Sequence, residues 1–297
     1  MEIRVLQYFL EVAERENITK AAEALHITQP ALSRQLAELE KELDTQLFLR
    51  GKRKTTLTEE GKLLQKRAQE ITSLVHKTKE EMGHRVDTIS GQVRIGCAET
   101  EGMRFLLRIQ KEILTQYPHI TCQLYDGHNA DVLEKLDKGL LDFGVLSALS
   151  HLRRYDYIRL PHQDTWGVLL PKNAPLAKEK TISPKDLWHV PLILSQQAID
   201  NGDIAHYLQK DINDLYITGT YNLLFNASLM LEEGIGYALA YDHIIATGPD
   251  SPLIFRPLSP KHTVSTYFIW KRHQLFSPAA NLLKQKIEKA VSVTTSH

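Results

Sequence analysis

The feature that most constrains this chain is the stretch from Thr19 to Thr58, which has the pattern of two short helices around a tight turn, followed by a basic hairpin. Thr19 is a favourable N-cap, and apolar residues three and four positions apart predict a first helix from about Thr19 to Leu25. Thr28 is placed to cap a second helix, in which Pro30 falls in the first turn, where its missing N–H costs nothing. Four leucines form one apolar face of that helix, namely Leu32, Leu36, Leu39 and Leu43.

The opposite face of the second helix is polar, because Gln29, Ser33 and Arg34 point away from the leucines. A second helix with polar residues in its first two turns is what a helix-turn-helix protein inserts into the major groove of DNA. There, Arg pairs with guanine and Gln with adenine edges. We therefore predict a DNA-reading helix, and its predicted contacts are Thr28, Gln29, Pro30, Ser33 and Arg34.

A cluster of cations follows the second helix, and it consists of Arg50, Lys52, Arg53 and Lys54 around Gly51. Residues 1–87 contain 15 Lys and Arg against 15 Asp and Glu, so this part of the chain is not basic as a whole. Any affinity for phosphate must then come from local clustering. Taken alone, such a cluster could be a solvated charge run; beside a helix-turn-helix it predicts a wing that contacts DNA, with Gly51 in the turn.

Four motifs in this region occur in a fixed order: AAEAL, TQPALSRQLAELEKEL, LF-R before the basic turn, and LTEEGK. Together they resemble the amino-terminal domain of the LysR-type transcriptional regulators. The resemblance implies a winged helix-turn-helix domain over residues 1–58. The chain departs from the family at Asp44, where the family usually has Gly. We expect a left-handed residue there, which Asp tolerates better than most side chains.

After Thr58, the sequence predicts one long helix to about Asp87, the linker of residues 59–88, with a capped acidic start at Glu59 and Glu60. Apolar positions recur at steps of four and three along it, at Leu64, Ala68, Ile71, Val75, Thr78 and Met82. This spacing is typical of a coiled-coil seam and predicts a homodimer. The alternative is a helix that packs on its own effector domain. The family resemblance implies dimerisation through this helix and, commonly, a homotetramer.

From Ser90 onward, predicted strands alternate with predicted helices. The strands are SGQVRIGCA, ITCQLYDG and DFGVLSA, and the helices between them are MRFLLRIQKEILTQYP and NADVLEKLDKGL. This βαβαβ order predicts a parallel sheet, and open α/β sheets bind ligands beyond the carboxyl ends of their strands. Residues 99–102, 127–129 and 147–148 should therefore line the rim of a cleft.

A second α/β unit is predicted from TWGVLLPKNAPLA to YITGTYNLLFNASLMLEEGIGYALAYD, with PLILSQQ opening a helix that runs to about Leu208. Segments near 164–170 and 264–271 should cross between the two units, and a last helix should span 278–291. Two Rossmann-like lobes so joined resemble the periplasmic-binding-protein-like effector domain of the LysR family. We assign residues 89–163 and 271–297 to lobe I and residues 164–270 to lobe II. The resemblance then covers essentially the whole chain.

The effector site is predicted where helices begin at this cleft. The resemblance implies that Thr100 contacts the effector, opposite Ser195, Gln196 and Gln197. Helix starts offer free N–H groups suited to an anion, but Glu99 and Glu101 oppose a small carboxylate, so a neutral or cationic effector fits better. The alternatives to effector binding are structural: Thr100 could cap the helix, and Asn222 could make hydrogen bonds within its loop. The predicted effector-binding residues are Glu99, Thr100, Glu101, Gly102, Asn129, Ser147, Ser195, Gln196, Gln197 and Asn222.

Other chemistry is poorly supported by the sequence. Cys97 and Cys122 lie in predicted buried strands, which favours core packing over a redox switch. The 13 His show no HxH or HExxH spacing, so no metal site is predicted. Neither a phosphate loop nor a nucleophile elbow is present, and GIG at 234–236 fits a helix end that turns into a strand. We predict no enzyme and no cofactor besides a small-molecule effector.

The sequence thus predicts a sequence-specific transcriptional regulator whose binding or bending of promoter DNA is modulated allosterically by a small molecule. Its expected partners are double-stranded promoter DNA, the effector and further copies of itself, with RNA polymerase as a candidate. The amino-terminal segment reads as a charged amphipathic helix rather than a signal peptide, and without a membrane segment the expected location is the cytoplasm. An enzyme or solute-binding protein would account for the α/β lobes but not for residues 1–87. A DNA-packaging protein would account for the basic wing but not for the cleft.

Overall fold

In the computed structural model, which describes residues 1–51, 54–82, 89–147 and 154–294, the chain divides into two units, Met1–His84 and Arg85–His297. The first unit contains α1 (Ile3–Arg15), α2 (Ile18–Ala24), α3 (Gln29–Glu42), β1 (Phe48–Arg50), β2 (Thr55–Leu57) and α4 (Glu59–Met82). The strands form an antiparallel hairpin, and the apolar faces of the helices close around a core that includes Phe9, Leu32, Leu36 and Phe48. This is the winged helix-turn-helix predicted from the sequence.

The ends of α2 and α3 are fixed by backbone hydrogen bonds of one kind. After α2, the N–H of Ile27 donates to the carbonyl of Ala22 at 3.0 Å, with His26 in the left-handed region at φ 55°. After α3, Asp44 takes the same conformation at φ 48°, as expected at that position. Thr19 is wrong as the N-cap of α2, because the helix begins earlier and the Asn17 side chain accepts the N–H of Lys20.

The long helix α4 starts as predicted, since the Thr58 hydroxyl accepts the N–H of Gly61 at 2.9 Å. Its predicted seam is only partly free for a second chain. Ala68 is 0% exposed within the core of the first unit, and Leu64 packs against that core. Ala68 is therefore wrong as a dimer contact, because its own chain covers it. The predicted helix end near residue 87 lies outside the described residues.

In the second unit, lobe I begins with the predicted βαβαβ order. It comprises β3 (Gly91–Cys97), α5 (Met103–Gln116), β4 (Ile120–Asp126), α6 (Asn129–Asp137) and β5 (Phe143–Ser147). Strand β3 pairs in parallel with both β4 and β5, so the parallel sheet is confirmed. The last helix, α10 (Pro278–Thr294), packs against α5 and β3 and completes the core of this lobe.

Two long strands connect the lobes. Strand β6 (Tyr155–Pro171) pairs through its first part with β11 (Thr263–Lys271), and through its last part with β9 and β10 of lobe II. Strand β11 also pairs with β5. Residues 266–269 of β11 therefore belong to the sheet of lobe I, whereas the lobe boundary at residue 271 stays a prediction.

Lobe II contains β7 (Leu192–Ser195), α7 (Gln196–Asp200), α8 (Asp203–Leu208), β8 (Ile217–Tyr221), α9 (Leu224–Glu232), β9 (Tyr237–Tyr241) and β10 (Leu253–Pro257), with short 3-10 helices at Pro175–Lys178, Pro184–Leu187 and Ile212–Asp214. The strand order across the sheet is β4-β3-β5-β11-β6-β9-β7-β8, with β10 on β6. The single helix predicted to Leu208 is two helices, because Gly202 turns the chain at φ 76°. Gly234 ends α9 at φ 74°, as predicted for the GIG segment.

Candidate functional site

The polar face of α3 is exposed on the first unit. The Gln29 amide donates to the Ser33 hydroxyl at 2.9 Å, and the Arg34 guanidinium lies 3.3 Å from the Glu38 carboxylate. The Arg34 side chain is 78% exposed, and such surface ion pairs contribute at most about 1 kcal/mol. Arg34 can therefore exchange Glu38 for a base edge at little cost. Thr28 occupies the N-cap position and Pro30 lies in the first turn, although the Thr28 side chain makes no capping bond.

The wing is a tight hairpin. The N–H of Gly51 donates to the carbonyl of Lys54 at 3.0 Å, and a β-carbon at Gly51 would come within 2.9 Å of that oxygen. Lys54 reaches Glu16 at 2.5 Å, so its charge is locally compensated in the absence of DNA. Lys52 and Arg53, which are predicted DNA contacts, lie outside the described residues, as does the side chain of Arg50.

A cavity of about 350 Å³ lies between the two lobes of the second unit. Of the predicted effector residues, those that line it are Glu99, Ser147, Ser195, Gln197 and Asn222. Lining residues that the sequence reasoning missed include Trp166, Asp203, Tyr221, Tyr241, His262 and Tyr267. Two of these, Tyr221 and Tyr241, end the parallel strands β8 and β9, so the strand-end rule applied to lobe II would have found them.

A second cavity, of about 750 Å³, shares His128, Gln197 and Asn201 with the first. Two further residues of the predicted set, Asn129 and Gln196, line this second cavity only. The predicted effector residues therefore do not share one cavity. Residues of both lobes line each of two adjoining cavities.

Thr100 borders neither cavity, and its hydroxyl is committed inside the protein. It donates to the Asp164 carboxylate at 2.6 Å and accepts the N–H of Gly102 at 3.0 Å. Glu101 pairs with Arg104 and, like Gly102, borders neither space. Thr100, Glu101 and Gly102 are therefore wrong as direct effector contacts. Thr100 is not the cap of α5 either, because Gly102 is the N-cap residue; the Thr100 hydroxyl holds the turn before the helix.

Asp164 is the centre of a buried polar network that the sequence reasoning missed. Its side chain is fully buried and accepts hydrogen bonds from Thr100 at 2.6 Å, Thr266 at 3.0 Å and the N–H of Glu101 at 3.2 Å, and His162 lies 3.1 Å away. Burying a carboxylate is unfavourable unless such donors satisfy it. Because Asp164 lies on β6, Thr266 on β11 and Thr100 before α5, this network ties the start of α5 to both connecting strands.

Glu99 joins the two lobes directly. One of its carboxylate oxygens accepts the N–H of Leu224, the first residue of α9, at 2.6 Å. A carboxylate is favourable at this position because the amino-terminal end of a helix carries partial positive charge. The pKa of Glu99 is raised, mainly because the carboxyl is buried. The hydrogen bond from Leu224 lowers the pKa in part. Nearby Asp126 raises the pKa and His128 lowers it. We call the hydrogen bond between Glu99 and Leu224 the clasp.

Other contacts between the lobes are also polar. The side-chain oxygen of Gln197 accepts the N–H of Asn129, at the start of α6, at 2.8 Å, and the Tyr241 hydroxyl lies 3.4 Å from that of Ser147. N–H groups at the starts of α5, α6 and α9 thus already bind oxygens of the protein itself. The prediction that helix starts at the cleft offer free N–H groups to an anion is therefore wrong for these three N–H groups, because protein oxygens occupy them.

The cysteines do not have the surroundings of a reactive pair. The Cys97 thiol is buried and donates to the Asp126 carboxylate at 3.1 Å, and burial raises its pKa to about 12. Burial likewise raises the pKa of Cys122 to about 11. Because the thiolate is the reactive form, these surroundings favour packing over thiol chemistry. Across the described part of the chain, no group of His, Cys, Asp and Glu could hold a metal ion, and no helix has the length and hydropathy of a membrane span.

Known structures share this architecture. The crystal structure of CbnR, a LysR family transcriptional regulator, matches with a TM-score of 0.77 at 20% identity, over 97% of this chain and 99% of that one. Full-length CbnR complexed with its target DNA matches with a TM-score of 0.75 at the same identity and coverage. These likenesses establish the fold.

Sequence comparisons establish the family. The hca operon transcriptional activator HcaR of Escherichia coli is 27% identical over 99% of this chain and 100% of its own length, and the regulator BsdA of Bacillus subtilis is 37% identical over 65% of this chain and 67% of its own. The model of the bacterial regulatory helix-turn-helix protein, lysR family, matches residues 3–62, and that of the LysR substrate binding domain matches residues 87–292. The chain therefore belongs to the LysR family of DNA-binding transcriptional regulators.

Proposed function

We propose that this regulator changes its promoter complex when a small molecule enters the cavity between lobe I and lobe II. The observation that carries the proposal is the clasp, because it is a hydrogen bond between the lobes at the wall of that cavity. A ligand acts on a conformational equilibrium only through differential contacts with its two states. A ligand that binds Glu99 or the first turn of α9 makes different contacts in the two states, because the distance between these groups changes when the lobes move relative to each other.

In this proposal, α3 reads the promoter sequence and the wing holds the backbone. Gln29 and Arg34 face base edges, and Thr28, Pro30 and Ser33 fit the first turns of the helix into the groove. The wing cations contact phosphates or the minor groove and supply the salt-dependent part of the affinity; they are Arg50, Lys52, Arg53 and Lys54. The exposure of the Arg34 side chain supports its assignment.

Self-association is proposed along α4, but on a face rotated from the predicted seam. Its exposed apolar residues are Leu63 at 60%, Ile71 at 36%, Leu74 at 43% and Met82 at 82%. Val75 borders this face, whereas Ala68 is covered by its own chain. Two chains joined here carry two recognition helices. A second exposed apolar pair, Phe225 and Leu229 on α9, supports a further contact that builds a dimer of dimers.

The mechanism follows from the position of α9. Its amino-terminal N–H binds Glu99 at the cleft, and its outer face carries Phe225 and Leu229. A ligand that alters the clasp therefore shifts the helix that bears an association surface, which changes the spacing of the paired recognition helices and the bend they impose on DNA. This mechanism requires no catalytic step and no cofactor. RNA polymerase is a candidate partner at the promoter. The proposed location is the cytoplasm, where the protein reaches promoter DNA.

The test is footprinting of the full-length protein on DNA upstream of its own and neighbouring genes. A short protected dyad whose pattern changes with a cavity ligand is the expected result. Uniform coverage of all DNA would instead indicate a packaging protein, and absence of any DNA protection would contradict the regulator itself.

A further inference from the structure

We propose that the effector is a small organic cation, an amine attached to an aromatic or apolar group, and that its charge pairs with Glu99. This inference deepens the proposed function, because it rests on the cavity between the lobes as the effector site. It is carried by the charges that line the cavity, by the occupation of the helix starts, and by the aromatic walls.

The charges that line the cavity favour a cation. Among its described lining residues the acidic ones are Glu99 and Asp203, no Lys or Arg is present, and His128 and His262 are the remaining ionisable bases. With neutral histidines the lining carries a formal charge of −2. Because electrostatic interactions are stronger in a partly enclosed site than in bulk water, this charge attracts a cation and repels a carboxylate.

At three helix starts near the cavity, N–H groups that could bind an anion already bind oxygens of the protein. The N–H of Leu224 at the start of α9 binds Glu99, and the N–H of Asn129 at the start of α6 binds Gln197. At the start of α5, the N–H groups of Glu101 and Gly102 bind Asp164 and Thr100. An anionic effector that used these N–H groups would have to displace one of these oxygens and then lie beside the displaced carboxylate, hydroxyl or amide.

Glu99 retains capacity for a ligand. A carboxylate has about four lone-pair sites on its two oxygens. One oxygen accepts the Leu224 N–H, and the described residues provide no hydrogen bond to the other. Burial also disfavours the ionised form of this carboxyl. An ammonium group in the cavity compensates for that loss of solvation and gains a charge-assisted hydrogen bond.

The walls of the cavity suit the rest of such a molecule. Trp166 and Tyr241 meet edge to face at a centroid distance of 4.6 Å, and Tyr221 and Tyr267 also contribute to the lining. Aromatic rings bury apolar groups and attract cations to their faces. A volume of about 350 Å³ lies at the lower end of ligand pockets, which run from about 300 to 1,000 Å³, so the molecule is small.

The experiment is calorimetry of the full-length protein with three matched sets of probes. Benzylamine, phenethylamine and tryptamine are each compared with the corresponding alcohol and carboxylate. In at least one set, we expect the amine to bind about tenfold more tightly than its carboxylate. Glu99→Gln should weaken amine binding about tenfold, whereas the control Glu101→Gln, outside the cavity, should leave it unchanged.

Asp203→Asn provides a second variant at an exposed position, in case Glu99→Gln disturbs the fold, and it should also weaken amine binding. Carboxylates that bind as tightly as their amines would overturn the inference. Equal losses in the Glu99 and Glu101 variants would overturn it as well, as would the failure of every amine to bind at millimolar concentration. A footprint that responds to a neutral or anionic molecule would reject the cation and leave the proposed function standing; no response to any cavity ligand would reject both.

Discussion

Replacing Thr100 by Val tests the buried network around Asp164. The substitution keeps the shape of the side chain but removes a hydroxyl that donates to Asp164 at 2.6 Å and accepts from Gly102 at 3.0 Å. A hydrogen bond to a charged group contributes about 1.5–3 kcal/mol, and the neutral bond from the Gly102 N–H about 0.5–1.5 kcal/mol. Since one hydroxyl makes both, the losses are not additive, and we expect a decrease of about 2–3 kcal/mol in the free energy of unfolding of the second unit.

Urea-induced unfolding followed by tryptophan fluorescence measures this change selectively, because Trp166, Trp188 and Trp270 are the three tryptophans of the chain and all lie in the second unit. In a thermal scan, the same loss corresponds to a decrease in Tm of about 4–12 °C for a unit of this size. Thr115→Val, at an exposed position of α5, is the matched control and should stay within about 0.5 kcal/mol of the wild type. If Thr100→Val also stays within that range, the hydroxyl does not support Asp164 and the reasoning is refuted.

Three further predictions address assembly, DNA reading and pH. Ile71→Glu should lose several kcal/mol of association because each copy of the charge faces the other, whereas Ser73→Glu on the opposite face of α4 should not; unchanged sedimentation of the first variant would contradict the α4 interface. Arg34→Ala should cost about 1–3 kcal/mol at the cognate site and relax sequence preference, whereas Arg53→Ala should weaken binding to all DNA and reduce the salt slope; equal effects in binding titrations would rule out this division. The raised pKa of Glu99 means that its protonation stabilises the fold. This contribution is full below the ordinary carboxyl pKa and is lost as pH rises through the raised one, so Glu99→Gln should flatten that part of the stability curve, and an unchanged slope would contradict the burial.

Periodicity and local chemistry predicted most of the architecture, because they depend on residues that are close in sequence. The leucine spacing of α3, the alternation of strands and helices in lobe I and the left-handed residue at Asp44 are all local properties. The break between α7 and α8 was missed because it depends on one residue, Gly202, whose conformation the surrounding pattern does not reveal.

The errors in the candidate site have a different cause, namely partners distant in sequence. The sequence predicts Thr100 as an effector contact because its partner Asp164 is 64 residues away and is not apparent from the local pattern. Ala68 was assigned to a dimer because the same heptad spacing describes a helix that packs on its own domain. Glu99 lines the cavity near the end of β3, yet its bond to Leu224 spans 125 residues and is not readable from either segment alone.

The most direct test of the account is the bend of promoter DNA, measured by fluorescence energy transfer between the two ends of the footprinted fragment without any ligand. In the proposed mechanism, the clasp sets the arrangement of the recognition helices. Glu99→Gln, which weakens the acceptor of the Leu224 N–H, should therefore change the bend, while Glu101→Gln should reproduce the wild type. A Glu99→Gln complex with the same bend and footprint as the wild type would contradict the role of the clasp in regulation.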